Sequence, residues 1–272
     1  TIFWYTRKVG FRIWNKFHTL YKACFDESRL ATLYVKHTVS PGSLYQQSGN
    51  RPQFVDGPMF HKVRMSTLYK KQKERIRELL GPGMEETYIT KNQYLSRGHL
   101  APRADFPFAA SQRATFHYIN TAPQWQRGNA GDWAALEDAI RRRAASGRVS
   151  LTVYTGTSGT LTLTSAWGRQ HPIHLTVDRN NNEIVPVPLY FYKVVYEPRQ
   201  KKAVAFISIN SSYYNNTQIR ELSFCRDICY GSSQYGWIRW RSDGTHSFCC
   251  TYEDFIKKVH DLPVLDVKGL FY

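Results

Sequence analysis

Two apolar runs, VPVPLYFYKVVYE (185–197) and AVAFISIN (203–210), restrict the fold more than any other part of the chain. Both are rich in the β-branched and aromatic side chains that pack on a pleated surface. They read as neighbouring strands joined by the polar turn EPRQKK, and their near-continuous apolar character puts them deep in a sheet. VSLTVYTGTSGTLTL (149–163) adds a strand that alternates Val149, Leu151 and Val153 with polar partners. The opening TIFWYTRKVGFRIW is also strand-like, and so aromatic a start, with no methionine or signal-like run, reads as though preceding residues are missing.

Two segments carry helical periodicity instead. STLYKKQKERIRELLGPG (66–83) spaces Leu68, Tyr69, Ile76, Leu79 and Leu80 along one helix face and ends on a Gly-Pro-Gly stop. WAALEDAIRRRAASG (133–147) sets Trp133, Leu136 and Ile140 in one stripe and ends near Gly147. The expected class is α+β, with a central, largely antiparallel twisted sheet flanked by helices. No internal repeat or low-complexity linker divides the chain, so a single domain over residues 1–272 is the simplest organisation. No stretch approaches the roughly 18–20 apolar residues of a membrane helix.

Charge narrows the partners. Thirty-seven Lys and Arg against twenty-one Asp and Glu give a formal +16, a field that concentrates polyanions, nucleic acid above all. Solubility and adhesion to acidic surfaces are the competing uses. No helix-turn-helix, zinc-finger or RNA-recognition signature points to base reading. Cys225, Cys229, Cys249 and Cys250 crowd a C-terminal stretch of about 220–272, whereas Cys24 stands alone. Adjacent Cys249 and Cys250 are ill suited to aim both sulfurs at one zinc ion, so disulfides in an oxidising compartment are the expected state, with connectivity open.

The chemistry concentrates in SRGHLAPRADF (96–106), YINTAPQWQRGN (118–129) and AGDWAALE (130–137). A histidine, two asparagines and a glutamate arrive in order within one strand, loop and helix passage. Neutral imidazole accepts a proton near physiological pH, which makes His99 a candidate general base, and activity should then fall on acidification through the imidazole pKa. Gly98 would let the backbone approach DNA and keep a side chain away from the attacking water. The amide oxygen of Asn129, near the start of the second helix, is a hard ligand suited to Mg²⁺; the competing use is a helix N-cap. Glu137 lies eight residues on, roughly 12 Å along a continuous helix, so it would act on metal-bound water rather than on the ion, or pair with Arg141. Asn120 would brace the turn. Arg97 and Arg51 are candidates to clamp the phosphate, with Arg64 or Arg103 as substitutes for Arg51; Arg103 and Arg127 would add nucleic-acid contacts.

Arg97-Gly98-His99, Asn120 with Ala122-Pro123-Gln124, then Asn129, Trp133, Leu136 and Glu137 together resemble the DNA/RNA non-specific endonucleases of the ββα-metal superfamily, the group of the Serratia nuclease and mitochondrial endonuclease G. NRPQFVDGP resembles the segment from which that family supplies its second arginine. The resemblance covers roughly residues 30–210, with the ββα-metal core at about 94–145 and the cysteine-bearing tail beyond the common part. It implies a Mg²⁺-dependent endonuclease, Mn²⁺ substituting, that cuts DNA and also RNA without sequence preference, favours duplex and leaves 5′-phosphates. The cysteines, and SRGH in place of the usual DRGH, make the chain most similar to secreted digestive nucleases of crustaceans, including the duplex-specific kind. Ser96 can brace by hydrogen bonding but brings no charge, which leaves Glu137 as the carboxylate of the site. The alternatives are a basic binding protein that has lost catalysis and an intracellular mitochondrial relative.

Overall fold

Links of two residues (14–15) and four residues (27–30) leave no room for a crossover, so the first three strands must pair antiparallel. In the computed structural model, which describes residues 4–240 and 246–272, they do: β1 (Trp4–Ile13), β2 (Lys16–Asp26) and β3 (Ala31–Val39) form a meander. Thr1 to Phe3, part of the strand-like opening, lie outside the described residues.

The expected helix over 66–83 is two helices, α1 (Met65–Lys70) and α2 (Gln72–Leu80). The break has a local cause. The buried Gln72 amide donates to Tyr69 O (2.8 Å) and Leu95 O (3.2 Å), and its Oε1 accepts from Leu95 N (2.7 Å). A side chain thus takes a carbonyl that the next helical turn would use, and in doing so fixes the following strand to the helix. The Gly-Pro-Gly stop holds, with Gly81 at φ 95 and Gly83 at φ 84.

After α3 (Met84–Tyr88), β4 (Leu95–His99), α4 (Ala109–Arg113) and β5 (Thr121–Trp125), the chain enters α5 (Gln126–Ala130) and α6 (Asp132–Ser146). β6 (Leu151–Ser158) follows, then two small hairpins, β7 (Thr162–Thr164) with β8 (Gln170–Pro172) and β9 (His174–Val177) with β10 (Glu183–Pro186). The two apolar runs become β11 (Tyr190–Glu197) and β12 (Lys202–Ile209), antiparallel from Tyr190↔Ile209 to Glu197↔Lys202. α7 (Asn216–Leu222), β13 (His246–Cys250), α8 (Tyr252–Ile256) and β14 (Gly269–Leu270) complete the chain.

The main sheet runs β1-β2-β3-β6-β11-β12-β13, antiparallel at every step, with β14 alone parallel, to β12. β11 and β12 are interior strands, and alternation sends their side chains to two cores. Phe191, Val195, Val204 and Phe206 meet Trp133, Leu136 and Ile140 of α6 on one face. Tyr192, Val194, Ala205 and Ile207 meet Phe248 and Phe255 on the other. The fold is therefore α+β around a largely antiparallel sheet. The β4–β5 hairpin with α5 and α6 lies over the first face, and only there could a polar residue of β11 reach the motif residues.

The C-terminal cysteines form Cys225–Cys250 and Cys229–Cys249, while Cys24 is free and buried. Asp227 holds the knot by accepting from the backbone nitrogens of Cys229 (2.9 Å) and Cys249 (3.1 Å).

Candidate active site

His99 ends β4, paired with Thr121 of β5. Its ring is walled by Phe116 (centroids 4.9 Å) and Phe54 (5.1 Å), and its Nε2 is enclosed without a hydrogen-bond partner. Burial, reinforced by the charges of Arg51, Lys193 and Arg103, drives its pKa from 6.5 down to about 3. The imidazole is therefore neutral over the whole physiological range. Burial thus favours the unprotonated ring that a base requires, and moves any acid limit that comes from it below the ordinary histidine range.

Gly98 has a more immediate cause than approach to DNA. A Cβ on it would lie 2.3 Å from Gln124 Oε1 and 2.8 Å from Gln124 Cβ, so any larger residue would force the Gln124 side chain to move. Asn120 is fully buried; its Oδ1 accepts from Ala101 N (2.9 Å), and its Nδ2 donates to Ala101 O (2.9 Å) and Thr115 O (3.0 Å). With all of these bonds made, it ties down the loop that leaves His99.

Ser96 and Asn129 explain one another. The Ser96 hydroxyl donates to Gln124 O (2.9 Å), a group that can only accept, so its oxygen is left to accept from Asn129 Nδ2 (3.0 Å). The amide of Asn129 is thereby oriented, nitrogen toward Ser96 and Oδ1 away from it. Asn129 lies in α5, separated from α6 by Gly131 at φ −97, ψ −116, so it is not the N-cap of the long helix. The same break removes the 12 Å argument, which assumed one continuous helix.

Glu137 does not pair with Arg141. Arg141 turns to Asp105 (2.9 Å) and Asp138 (3.6 Å), and Asp105 also meets His37 Nε2 at 2.7 Å. Asp105, the aspartate of PRADF, is thus a buried carboxylate engaged through both oxygens in bracing β3 against α6. Glu137 meets Lys193 Nζ at 3.7 Å. Lys193, the single charge inside the apolar run of β11, is 1% exposed; it donates to Thr155 Oγ1 (2.8 Å) and Leu100 O (3.3 Å) and lies 4.9 Å from the Trp133 ring. Those partners offset the cost of burying an ammonium. Burial pushes Glu137 up from 4.5 to about 7; Lys193 opposes that rise and Asp105 adds to it. Lys193 is absent from any motif, and its one signal in sequence is a lysine where every neighbour is apolar.

The arginines separate by role. Arg97 donates from Nε to Tyr118 OH (3.0 Å), and its guanidinium lies over Tyr69 (4.9 Å), Phe54 (5.6 Å) and Tyr118 (5.9 Å). Arg51 is exposed and lies over Phe116 (5.5 Å), on the wall of His99. Arg103 is anchored through Gln112 Oε1 (3.0 Å) and Gly49 O (2.8 Å). Arg51 and Arg103 are among the charges that act on His99. Arg127 is exposed on α5, and its backbone N–H is held by Gln93 Oε1 (3.1 Å).

The donors suit a hard cation. Asn129 Oδ1, turned away from Ser96 and without a protein hydrogen bond among the described residues, is a neutral oxygen ligand, and a lone amide oxygen leaves most positions to water and phosphate, as Mg²⁺ prefers. Among the described residues the one cluster of three His, Cys, Asp or Glu groups is Asp227, Cys229 and Cys249, whose two sulfurs are bonded to each other, so it offers no thiolate site.

The chain is similar to known proteins along most of its length. The chain is 33% identical over 258 residues to a salivary endonuclease of Lutzomyia longipalpis, a span that takes in 92% of this chain and 60% of that protein. It is 24% identical over 273 residues to salivary protein Tsal2A of Glossina morsitans morsitans, covering 97% of this chain and 66% of that one. The chain therefore spans about three fifths to two thirds of the length of these relatives. The solved structure of the EndoG/EndoGI complex superposes with a TM-score of 0.58 at 18% identity, over 94% of this chain and 89% of that one, which establishes a shared fold. The family model for DNA/RNA non-specific endonuclease matches residues 5–252, so the common part is wider than 30–210 and takes in all four disulfide cysteines. With that match along nearly its whole length, the chain belongs to the DNA/RNA non-specific endonuclease family.

Proposed function

We propose that the chain is a divalent-cation-dependent endonuclease, Mg²⁺ with Mn²⁺ as a substitute, that hydrolyses phosphodiester bonds of DNA, duplex foremost, and also of RNA, leaving 5′-phosphates. The observation that carries the reading is the setting of His99: a ring at the end of β4, walled by Phe116 and Phe54, with the Arg51 guanidinium over the same Phe116 ring. Because Nε2 is enclosed, Nδ1 is the nitrogen left to take a proton from water. Arg51 and Arg97 hold the phosphate oxygens, Arg97 with its direction set by Tyr118 and the ring cage. Arg103 and Arg127 extend contact along the backbone.

Asn129 Oδ1 would hold the cation directly and Glu137 would act through its water, with Lys193 keeping the glutamate from carrying a full unbalanced charge. When bound, such a cation offsets the charge that develops on the phosphate and the leaving oxygen. Ser96 and Gln124 orient Asn129; Asn120 fixes the loop behind His99.

The two disulfides and the salivary relatives support secretion, and the mitochondrial alternative has no comparable support. The test is cleavage of supercoiled plasmid, duplex, single strands and RNA in Mg²⁺ and in EDTA. His99→Ala should lose on the order of 10²- to 10⁴-fold in rate while still retarding DNA. A variant that nicks at the parent's rate refutes the base, and a parent that retains DNA without cutting in any divalent cation is a binding protein.

A further inference from the structure

The β1–β2 hairpin has no part in the site above, yet it is built unlike the rest of the surface. Residues 5–25 carry five Lys and Arg and no carboxylate. At the two-residue tip Trp14 is 91% exposed and adopts φ 53. A bulky ring in the left-handed region is a steric outlier, and Gly or Asn would serve such a turn better. Register sets Arg12 opposite Phe17 and Ile13 opposite Lys16, so cations and an aromatic ring, Phe17 at 41% exposure, surround the tip. Along one face of the hairpin a cavity of about 630 Å³ opens between Arg7, Lys8 and Phe17 on one side and Lys62 and His117 on the other. Arg7 is paired with Glu27 (3.2 Å), and Lys8 and Lys62 add two further cations to a lining whose other carboxylate is Asp56. His117 follows Phe116, which walls His99, and precedes Tyr118, which holds Arg97, so the cavity backs directly onto the candidate active site.

We propose that this hairpin is a second nucleic-acid contact, an arm for single-stranded polynucleotide, with unpaired bases stacked on Trp14 and Phe17 and phosphates met by Arg12, Lys16 and Lys8. Stacking needs a base whose face is free, which a duplex does not offer, and a run of cations without carboxylates is complementary to a phosphate backbone. A lipid surface would call for a flat apolar face, whereas Phe17 forms the wall of a concavity. The assignment rests on nucleic acid being this chain's substrate, and it adds a strand-holding element outside the cutting centre.

The test is fluorescence anisotropy with labelled oligo(dT) of about 12 nucleotides, inside the usual 4–16 nucleotide footprint, in EDTA so that nothing is cut. Trp14→Asn removes the ring while suiting the turn's φ, so the hairpin keeps its fold, checked by an unchanged melting temperature. Affinity for oligo(dT) should fall about 5- to 150-fold in Trp14→Asn and stay within about threefold in Trp14→Phe, with blunt duplex affinity and hydrolysis of a small chromogenic phosphodiester little changed. Unchanged oligo(dT) affinity in Trp14→Asn overturns the proposal, as does an equal loss on duplex and single strand. Sedimentation with mixed phosphatidylcholine and phosphatidylserine vesicles that depends on Trp14 while oligo(dT) binding does not would make the tip a lipid contact and overturn it too. A parent chain that neither binds nor cuts nucleic acid sinks the nuclease reading itself; an unaltered His99→Ala sinks only the base and leaves binding in EDTA untouched.

Discussion

Glu137→Gln should stabilise the metal-free protein while it removes activity. Burial lifts Glu137 from 4.5 to about 7, so ionising it costs the folded state more than the unfolded chain. At 1.36 kcal/mol per pH unit, the roughly 2.5 units between those values amount to about 3 kcal/mol. The sign follows from the raised folded pKa. Below 4.5 the carboxyl is protonated in both states and costs nothing; stability is lost as pH rises from there through about 7, and the loss is complete near pH 8. Glutamine mimics the protonated form at every pH; at pH 8 it also removes the pairing of ionised Glu137 with Lys193, which the net rise of the carboxyl to about 7 already includes. Parent and variant should melt together at pH 4 in EDTA, and the variant should melt roughly 6–10 °C higher at pH 8, followed by circular dichroism. Equal melting at pH 8, or a gain that persists at pH 4, would refute the burial argument.

Three further outcomes follow from the site and the tail. Ser96→Ala removes both bonds that orient Asn129 and should weaken Mg²⁺ or Mn²⁺ binding about 10- to 100-fold by calorimetry, whereas Ser96→Asp keeps an acceptor for Asn129 Nδ2 and should still cut plasmid; abolition by Asp would make the serine itself part of the chemistry. Gly98→Ala should cost about 1–3 kcal/mol in urea unfolding, and adding Gln124→Ala should recover most of it; strictly additive losses would refute the clash. Alkylation of denatured, unreduced protein should label Cys24 alone, and peptide mapping should return Cys225 with Cys250 and Cys229 with Cys249 rather than the crossed pairs.

The parts of this architecture that sequence makes legible are those governed by short-range pattern. Tyr190 to Ile209 announces two paired interior strands, and Trp133, Leu136 and Ile140 announce a core-facing helix, because burial on a periodic element leaves a periodic trace. What escapes is decided by single side chains reaching across the fold. Gln72 breaks a helix by bonding to Leu95, and Gly131 detaches Asn129 from the long helix; neither event alters hydrophobic spacing. Within the site, the order His99, Asn120, Asn129, Glu137 is readable, but Lys193 and Asp105 are not, since their meaning depends on β11 and the loop after β4 coming to face α6. Arg141 shows the limit well: four residues from Glu137 on one helix, it pairs instead with a residue 36 positions earlier.

Cys249 and Cys250 are neighbours on β13, so their side chains leave opposite faces of the sheet, Cys249 into the core with α6 and Cys250 into the core with α8. A slip of one residue in the pairing of β13 with β12 would exchange the two sulfurs and bring each to the wrong partner. The native pairing is therefore compatible with this register of β13 alone, and the two bonds, once formed, lock it. Their pattern is a covalent record of how that edge was laid down, which oxidative refolding followed by peptide mapping can read directly.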